Sequence, residues 1–228
     1  MGVGAPGGSR RCQHTVAIVW ACPLSVEQYA AAGQRVQVWW PGCPGCGQPM
    51  RPWSGYQRWV RWGGGVWRVW VRRAKCRPCG VTHALLPSFT LLRRLDAVWV
   101  IGAALERVAG GAGLRVVAAG LGVPHTTVRG WWRRFRVHAP MLVAGLCALV
   151  VELGGLVAAP GAAAERACLA ALELVAARVR RRLGVAAPAT WPLAALVSGG
   201  GWLGATTSPP WAGQGGRRWL PPEPRPPP

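Results

Sequence analysis

The sequence predicts an α+β protein: a small four-cysteine unit built on a β-hairpin, then a three-helix module, further helices, and a disordered Pro/Gly-rich tail. Three observations carry this prediction. Two Cys-x-x-Cys knuckles, Cys43-Pro44-Gly45-Cys46 and Cys76-Arg77-Pro78-Cys79, bracket a stretch that alternates at period two, as a strand does. From residue 91 onward the apolar spacing changes to three and four, the period of a helix. The 32 Gly and 21 Pro crowd the first ten residues and everything after Pro188, which confines the foldable chain to residues 15–185.

Taken in order, residues 1–14 are glycine-rich, without periodicity, and read as a disordered leader. Residues 15–90 form the cysteine unit. Its first part has strand-like apolar runs around residues 25–32, where Ser25-Val26-Glu27-Gln28 has the form of a helix capping box. Residues 56–62 and 66–73 are β-branched, aromatic and basic in alternation and are joined by Gly63-Gly64-Gly65, a hairpin signature.

Residues 91–137 supply three helices, at 91–109, 114–121 and 125–137, with Gly122 and Pro124 dividing the last two. Asp96 falls inside the first of them. Residues 138–185 read as a helical extension of two helices parted by Ala159-Pro160-Gly161, and residues 186–228 as a disordered tail. Residues 139–159 are apolar enough to raise a membrane span as an alternative, but Glu152 inside them opposes it at about 3 kcal/mol. No membrane is the preferred reading, in a cytoplasmic, nucleoid-associated protein.

Charge narrows the function. Twenty-seven basic residues against seven acidic ones give a net charge of +20, in the direction that attracts polyphosphates. High-GC coding accounts for Arg over Lys, since Lys75 is the lone lysine, but leaves the scarcity of Asp and Glu unexplained.

The knuckles supply four thiolates converging from two tight bends, a complete tetrahedral set for one structural zinc ion. Cys43, Cys46, Cys76 and Cys79 are the expected ligands, with Gly47 and Gly80 letting backbone N–H groups turn toward the sulfurs. His83 lies nearby but is not needed once four cysteines are counted. With no acid or base beside the cysteines, the metal holds a zinc ribbon rather than activating water. Cys12, Cys22, Cys147 and Cys168 share no spacing and read as small hydrophobes.

Around the hairpin, Arg58, Arg61, Arg68, Arg72 and Arg73 alternate with tryptophans, a surface suited to phosphate contact and stacking. The tryptophans equally suit a ribbon's core.

Residues 114–133 fit a helix-turn-helix. Ala118 is the small contact residue and Gly122 the turn, while Val117, Leu121, Val123, Val128 and Trp131 form the packing set. On the second helix His125, Thr126, Thr127 and Arg129 are placed to reach base edges, Arg129 by pairing with guanine, while Arg133, Arg134 and Arg136 clamp phosphates. Cys168, Leu172, Val175 and Val179 alternate spacings of four and three. That seam serves either the chain's own core or a homodimer through residues 165–183.

The segments Cys43-Pro44-Gly45-Cys46, Gly55-Tyr56-Gln57-Arg58, the run from Arg73 to Cys79, the run from Thr82 to Phe89 and the run from Val123 to Trp131 resemble an actinobacterial family of uncharacterised domains. That family is similar to the DNA-binding front end of insertion-sequence transposases, a zinc ribbon followed by a helix-turn-helix. The resemblance implies a double-stranded DNA partner and, by analogy, transposase ancestry. The catalytic half is not in evidence. Acidic transposases mount three carboxylates on a sheet, whereas after the helix-turn-helix only Glu152, Glu165, Glu173 and Glu223 remain, with no strand pattern to carry them. The expectation is therefore no enzyme but a sequence-specific DNA-binding regulator or transposition accessory. The alternatives are a module recruiting a protein partner and a transposase fragment whose catalytic part lies elsewhere.

Overall fold

A computed structural model describes residues 17–156 and 163–203. In chain order it runs β1 (Ala17–Trp20), α1 (Val26–Ala32), β2 (Arg51–Trp62), β3 (Gly65–Lys75) and β4 (Thr82–Pro87). There follow α2 (Val98–Ala109), α3 (Leu114–Gly120), α4 (His125–Glu152), α5 (Ala164–Leu183) and α6 (Thr190–Val197). The fold is α+β: a mixed sheet in the order β1-β4-β3-β2 precedes a helical assembly.

The β2–β3 hairpin is the longest pairing, in register from Arg51↔Lys75 to Trp62↔Gly65. Gly63 and Gly64 close it at φ 59° and 76°. Positive φ at both central positions is what a two-residue type I′ turn demands, and its twist matches that of the strands. The register slips once, between Pro52 and Ser54. Gly55 is obligatory for another reason: a Cβ there would lie 2.4 Å from Nε1 of Trp70, whose indole crosses the neighbouring strand at that point.

α1 is fixed by its capping box, with Ser25 N–H donating to Gln28 Oε1 at 2.9 Å and Gln28 N–H donating to Ser25 Oγ at 3.2 Å. Its Tyr29 is fully buried with Trp20, Leu85 and Phe89, and donates its hydroxyl to the Trp70 carbonyl at 3.0 Å. The helical core gathers Ile101, Leu105, Val117, Val128, Phe135, Leu146, Leu172 and Val175. Trp99 touches both cores, its ring 4.9 Å from that of Trp62, so sheet and helices share a wall.

The structure corrects several boundaries. Between residues 17 and 40 the one strand is β1; residues 36–40 are irregular. The first helix of the second half begins at Val98, not at residue 91. Residues 95–97 lie along the free edge of β2 instead, where Arg61 N–H donates to the Leu95 carbonyl and Ala97 N–H to the Arg61 carbonyl. Those backbone groups are committed to the sheet, and Arg93 at φ 56° breaks helical geometry just before them.

The boundary expected at 137/138 falls inside α4, which runs unbroken through Pro140. Proline inside a helix removes one hydrogen bond and costs about 3 kcal/mol. Here its ring faces outward while Phe135, Ala139, Leu142 and Leu146 bury the opposite side, and that packing holds the helix together. The Ala159-Pro160-Gly161 break, the leader at 1–14 and residues 204–228 of the expected tail lie outside the described residues.

Residues 190–203, expected in the disordered tail, are instead core. Trp191, Leu193, Trp202 and Leu203 are buried, and Trp191 donates Nε1–H to Glu106 at 2.7 Å. Two aromatic rings bury enough apolar area to order a short segment whose Gly and Pro content suggests otherwise. The seam Cys168, Leu172, Val175 and Val179 is likewise buried within the chain, α5 packing on α4. Among the described residues α4 is the one helix long and apolar enough to cross a membrane by length and composition.

Gly102 of α2 makes room for Trp191: a Cβ there would lie 2.1 Å from the indole. Replacing Gly102 by Ala should therefore displace α6 and destabilise the chain by about 1–3 kcal/mol in chemical denaturation. Gly113→Ala, where a Cβ meets nothing, should change stability far less.

Candidate metal centre and basic surface

The two knuckles are built alike. In the first, Cys43 N–H donates to the Gln48 carbonyl and Gly47 N–H to the Cys43 carbonyl, both at 2.8 Å. In the second, Cys76 N–H donates to the Val81 carbonyl at 2.9 Å and Gly80 N–H to the Arg77 carbonyl at 3.3 Å. Gly47 and Gly80 sit at φ 76° and 69°, the left-handed region that glycine enters without penalty. Gly42 is also required, since a Cβ there would come 2.9 Å from the Gly47 carbonyl oxygen.

Because the first knuckle leads into β2 and the second leaves β3, the hairpin brings them face to face at its open end. All four sulfurs of Cys43, Cys46, Cys76 and Cys79 lie within 4.8 Å of one another. Cys43 Sγ is 3.9 Å from Cys79 Sγ, and Cys46 Sγ is 3.5 Å from Cys76 Sγ. Zn–S bonds of about 2.3 Å at tetrahedral angles put the sulfurs about 3.8 Å apart, so the cluster has the dimensions of a four-thiolate metal site. The separations far exceed the roughly 2.05 Å of a disulfide.

Cys43 and Cys76 are buried in the sheet's core, while Cys46 is exposed and Cys79 half-buried. Burial pushes the Cys43 thiol up. The N–H groups of Cys46 and Gly45, with the Cys76 and Cys46 thiols, outweigh burial and leave its pKa at about 6. Cys76 is pushed up, chiefly by burial. The arrangement thus favours the thiolate form of Cys43, the form that a cation binds. The other described cysteines fit packing roles: burial raises Cys22 to about 11 and Cys168 further still.

Four of the five hairpin arginines have partners within the fold. Arg58 donates to the carbonyls of Leu91 and Arg94, the former at 3.3 Å. Arg61 pairs with the buried Asp96 at 2.8 Å. Arg72 donates to the Gln34 carbonyl, and Arg73 to Thr82 Oγ1 at 2.5 Å. These four side chains tie β2 and β3 to neighbouring loops and to β4. Arg68 alone of the five is exposed, lying 5.8 Å over the ring of Trp59. Asp96 gave no hint of its role, because partnership with Arg61 depends on residues 95–97 lying along the strand.

On α4 the expected residues fall along the first three turns. Thr126, Arg129, Arg133 and Arg136 are exposed; His125, Thr127 and Arg134 are half-buried. Arg134 donates to the Gly130 carbonyl at 3.0 Å, and Arg136 pairs with Glu165 of α5 at 2.9 Å. That ion pair crosses between helices and leaves no mark in local sequence. Arg129, Trp132, Arg133, Arg136, Val137 and Glu165 line one shallow hollow.

Two outcomes follow. Cys76→Ser should abolish stoichiometric metal retention, measured by elemental analysis, and open the hairpin end, read as lost amide-exchange protection in β2 and β3. In the metal-free chain the depressed Cys43 pKa makes the thiolate available above about 6 and protonated below it. Metal uptake followed by stopped flow should therefore slow as pH falls through that value.

A family model for a domain of unknown function (DUF6431) matches residues 43–116. The match begins at the first metal-site cysteine, takes in the hairpin, β4 and α2, and ends within α3. No curated protein and no solved structure matches the chain. An uncharacterised domain family containing the four-cysteine cluster is thus what the chain is similar to over this segment.

Proposed function

We propose that the chain is a zinc-containing, sequence-specific DNA-binding protein of transposase-like ancestry, acting as a regulator or transposition accessory with no catalytic centre of its own. The observation that carries this reading is the arrangement of α3 and α4. α3 packs on α4 through Val117 and Ala118, both buried with Val128 and Trp131. The link turns at Gly122, φ 64°, and Val123 N–H donates to the Ala118 carbonyl at 3.1 Å. A helix-turn-helix needs a small residue at the crossing, glycine at the turn and an uncovered outer face on the second helix.

In this reading Thr126 and Arg129, exposed near the start of α4, read base edges in the major groove, with His125 and Thr127 beside them. Arg133 and Arg134 follow the phosphates. Arg136 joins them by leaving its ion pair with Glu165, a small cost at a largely exposed arginine. The four-cysteine unit is a scaffold whose metal fixes the hairpin, consistent with four ligands and no open position. Exposed arginines elsewhere and the net charge of +20 add a non-specific attraction to the duplex.

The reading is tested by selecting bound sequences from a random duplex library with the full zinc-loaded chain. A motif should enrich, and Arg129→Ala should weaken binding to it about tenfold while flattening preference at one base. Enrichment of nothing would sink the sequence-specific reading.

A further inference from the structure

The hairpin's outer edge carries aromatic rings that neither the core nor the reading of α4 uses. β2 is the edge strand of the sheet; among the described residues its free edge has a backbone bridge near the tip, at Arg61 and Asp96, and the Arg58 side chain reaches the carbonyls of Leu91 and Arg94. Along the uncovered part, Trp53 is 56% exposed, Tyr56 41% and Trp59 51%. A chain that buries Tyr29, Phe89 and Trp202 completely leaves these three rings in water.

Both exposed indoles of β2 are paired with a cation from β3. Lys75 Nζ lies 4.1 Å from the centroid of the Trp53 ring, and the Arg68 guanidinium 5.8 Å from that of Trp59, its cross-strand neighbour. Trp53 is the residue at the register slip, which frees it from the ladder. Arg51 and Arg77 are exposed at the same end, and the sequence holds no acidic residue between Glu27 and Asp96. Strand alternation puts Tyr56 and Trp59 on opposite faces, so the rings line an edge rather than one plane.

A flat ring with a cation held against it offers an unpaired nucleobase a stacking face and its phosphate a counter-charge in one place. A paired duplex presents no free base faces along its length. A protein strand added to the edge would use the backbone but leave the cations without acidic partners.

We infer that the β2 edge, through Trp53 and Trp59 with Lys75 and Arg68, is a second nucleic-acid site that binds single-stranded DNA by base stacking. The site is separate from α4. It rests on the duplex-reading proposal only for the choice of DNA over RNA.

The test measures anisotropy of labelled oligonucleotides with the full zinc-loaded chain. The probes are a thymidine oligomer, its abasic counterpart, a uridine oligomer and a duplex. Trp53→Ala/Trp59→Ala should weaken thymidine-oligomer binding at least tenfold and leave the abasic strand unaffected. Trp53→Phe/Trp59→Phe should stay within about threefold of the parent, because phenyl rings still stack. Thermal melting of both variants checks the fold. Arg129→Ala should lower duplex binding and spare the thymidine oligomer, so each site fails independently of the other.

The inference is overturned if the double Ala variant binds the thymidine oligomer like the parent. Equal losses for the Ala and Phe variants, or equal losses on the abasic strand, also overturn it. Tighter binding of the uridine oligomer than of the thymidine oligomer overturns the choice of DNA.

Discussion

Convergence of four sulfurs at the open end of the β2–β3 hairpin is the constraint on which the sheet half depends. A hairpin alone is marginal in water, because two strands cannot bury much of each other. This one is closed at one end by a two-glycine turn and at the other by Cys43, Cys46, Cys76 and Cys79. With both ends fixed, β3 presents a stable edge to β4, β4 to β1, and α1 packs its Tyr29 across them. Metal affinity in such a site is folding free energy, since the unfolded chain does not assemble the four thiolates.

The second constraint is the seam between sheet and helices. Residues 95–97 pair with the edge of β2, Arg61 neutralises the buried Asp96, and Trp62 meets Trp99. Removing Arg61 would leave the buried Asp96 carboxylate without its cationic partner, which destabilises this seam. Through this seam the position of α2 follows from the hairpin. α2 in turn helps to position α3 and α4, and it receives α6 through the notch at Gly102. Metal site and basic helix surface are therefore parts of one packed structure.

What was legible in the sequence was local. Knuckle spacing, the glycine turn, the Ser25–Gln28 box and the start of α4 each depend on a few adjacent residues, and each formed. What was not legible was decided by distant partners. Residues 91–97 have helical spacing, but Arg93 breaks the helix and residues 95–97 are held by strand backbone. Residues 190–203 look like a low-complexity tail but carry two tryptophans that find Gly102 and Phe135 in the helical core. Arginines 58, 61, 72 and 73 look like a phosphate-binding row, yet their partners are carbonyls, Thr82 and Asp96, brought close only by the fold. Charge composition correctly marks a basic protein; it does not say which arginines are spoken for.

Because the rest of the sheet hangs on the sulfur cluster, the decisive measurement is X-ray absorption at the metal edge of the full chain. The account predicts one zinc per chain with a first shell of four sulfurs at about 2.3 Å and no lighter ligand. A shell containing nitrogen or oxygen, or a chain that folds fully with no bound metal, would contradict it.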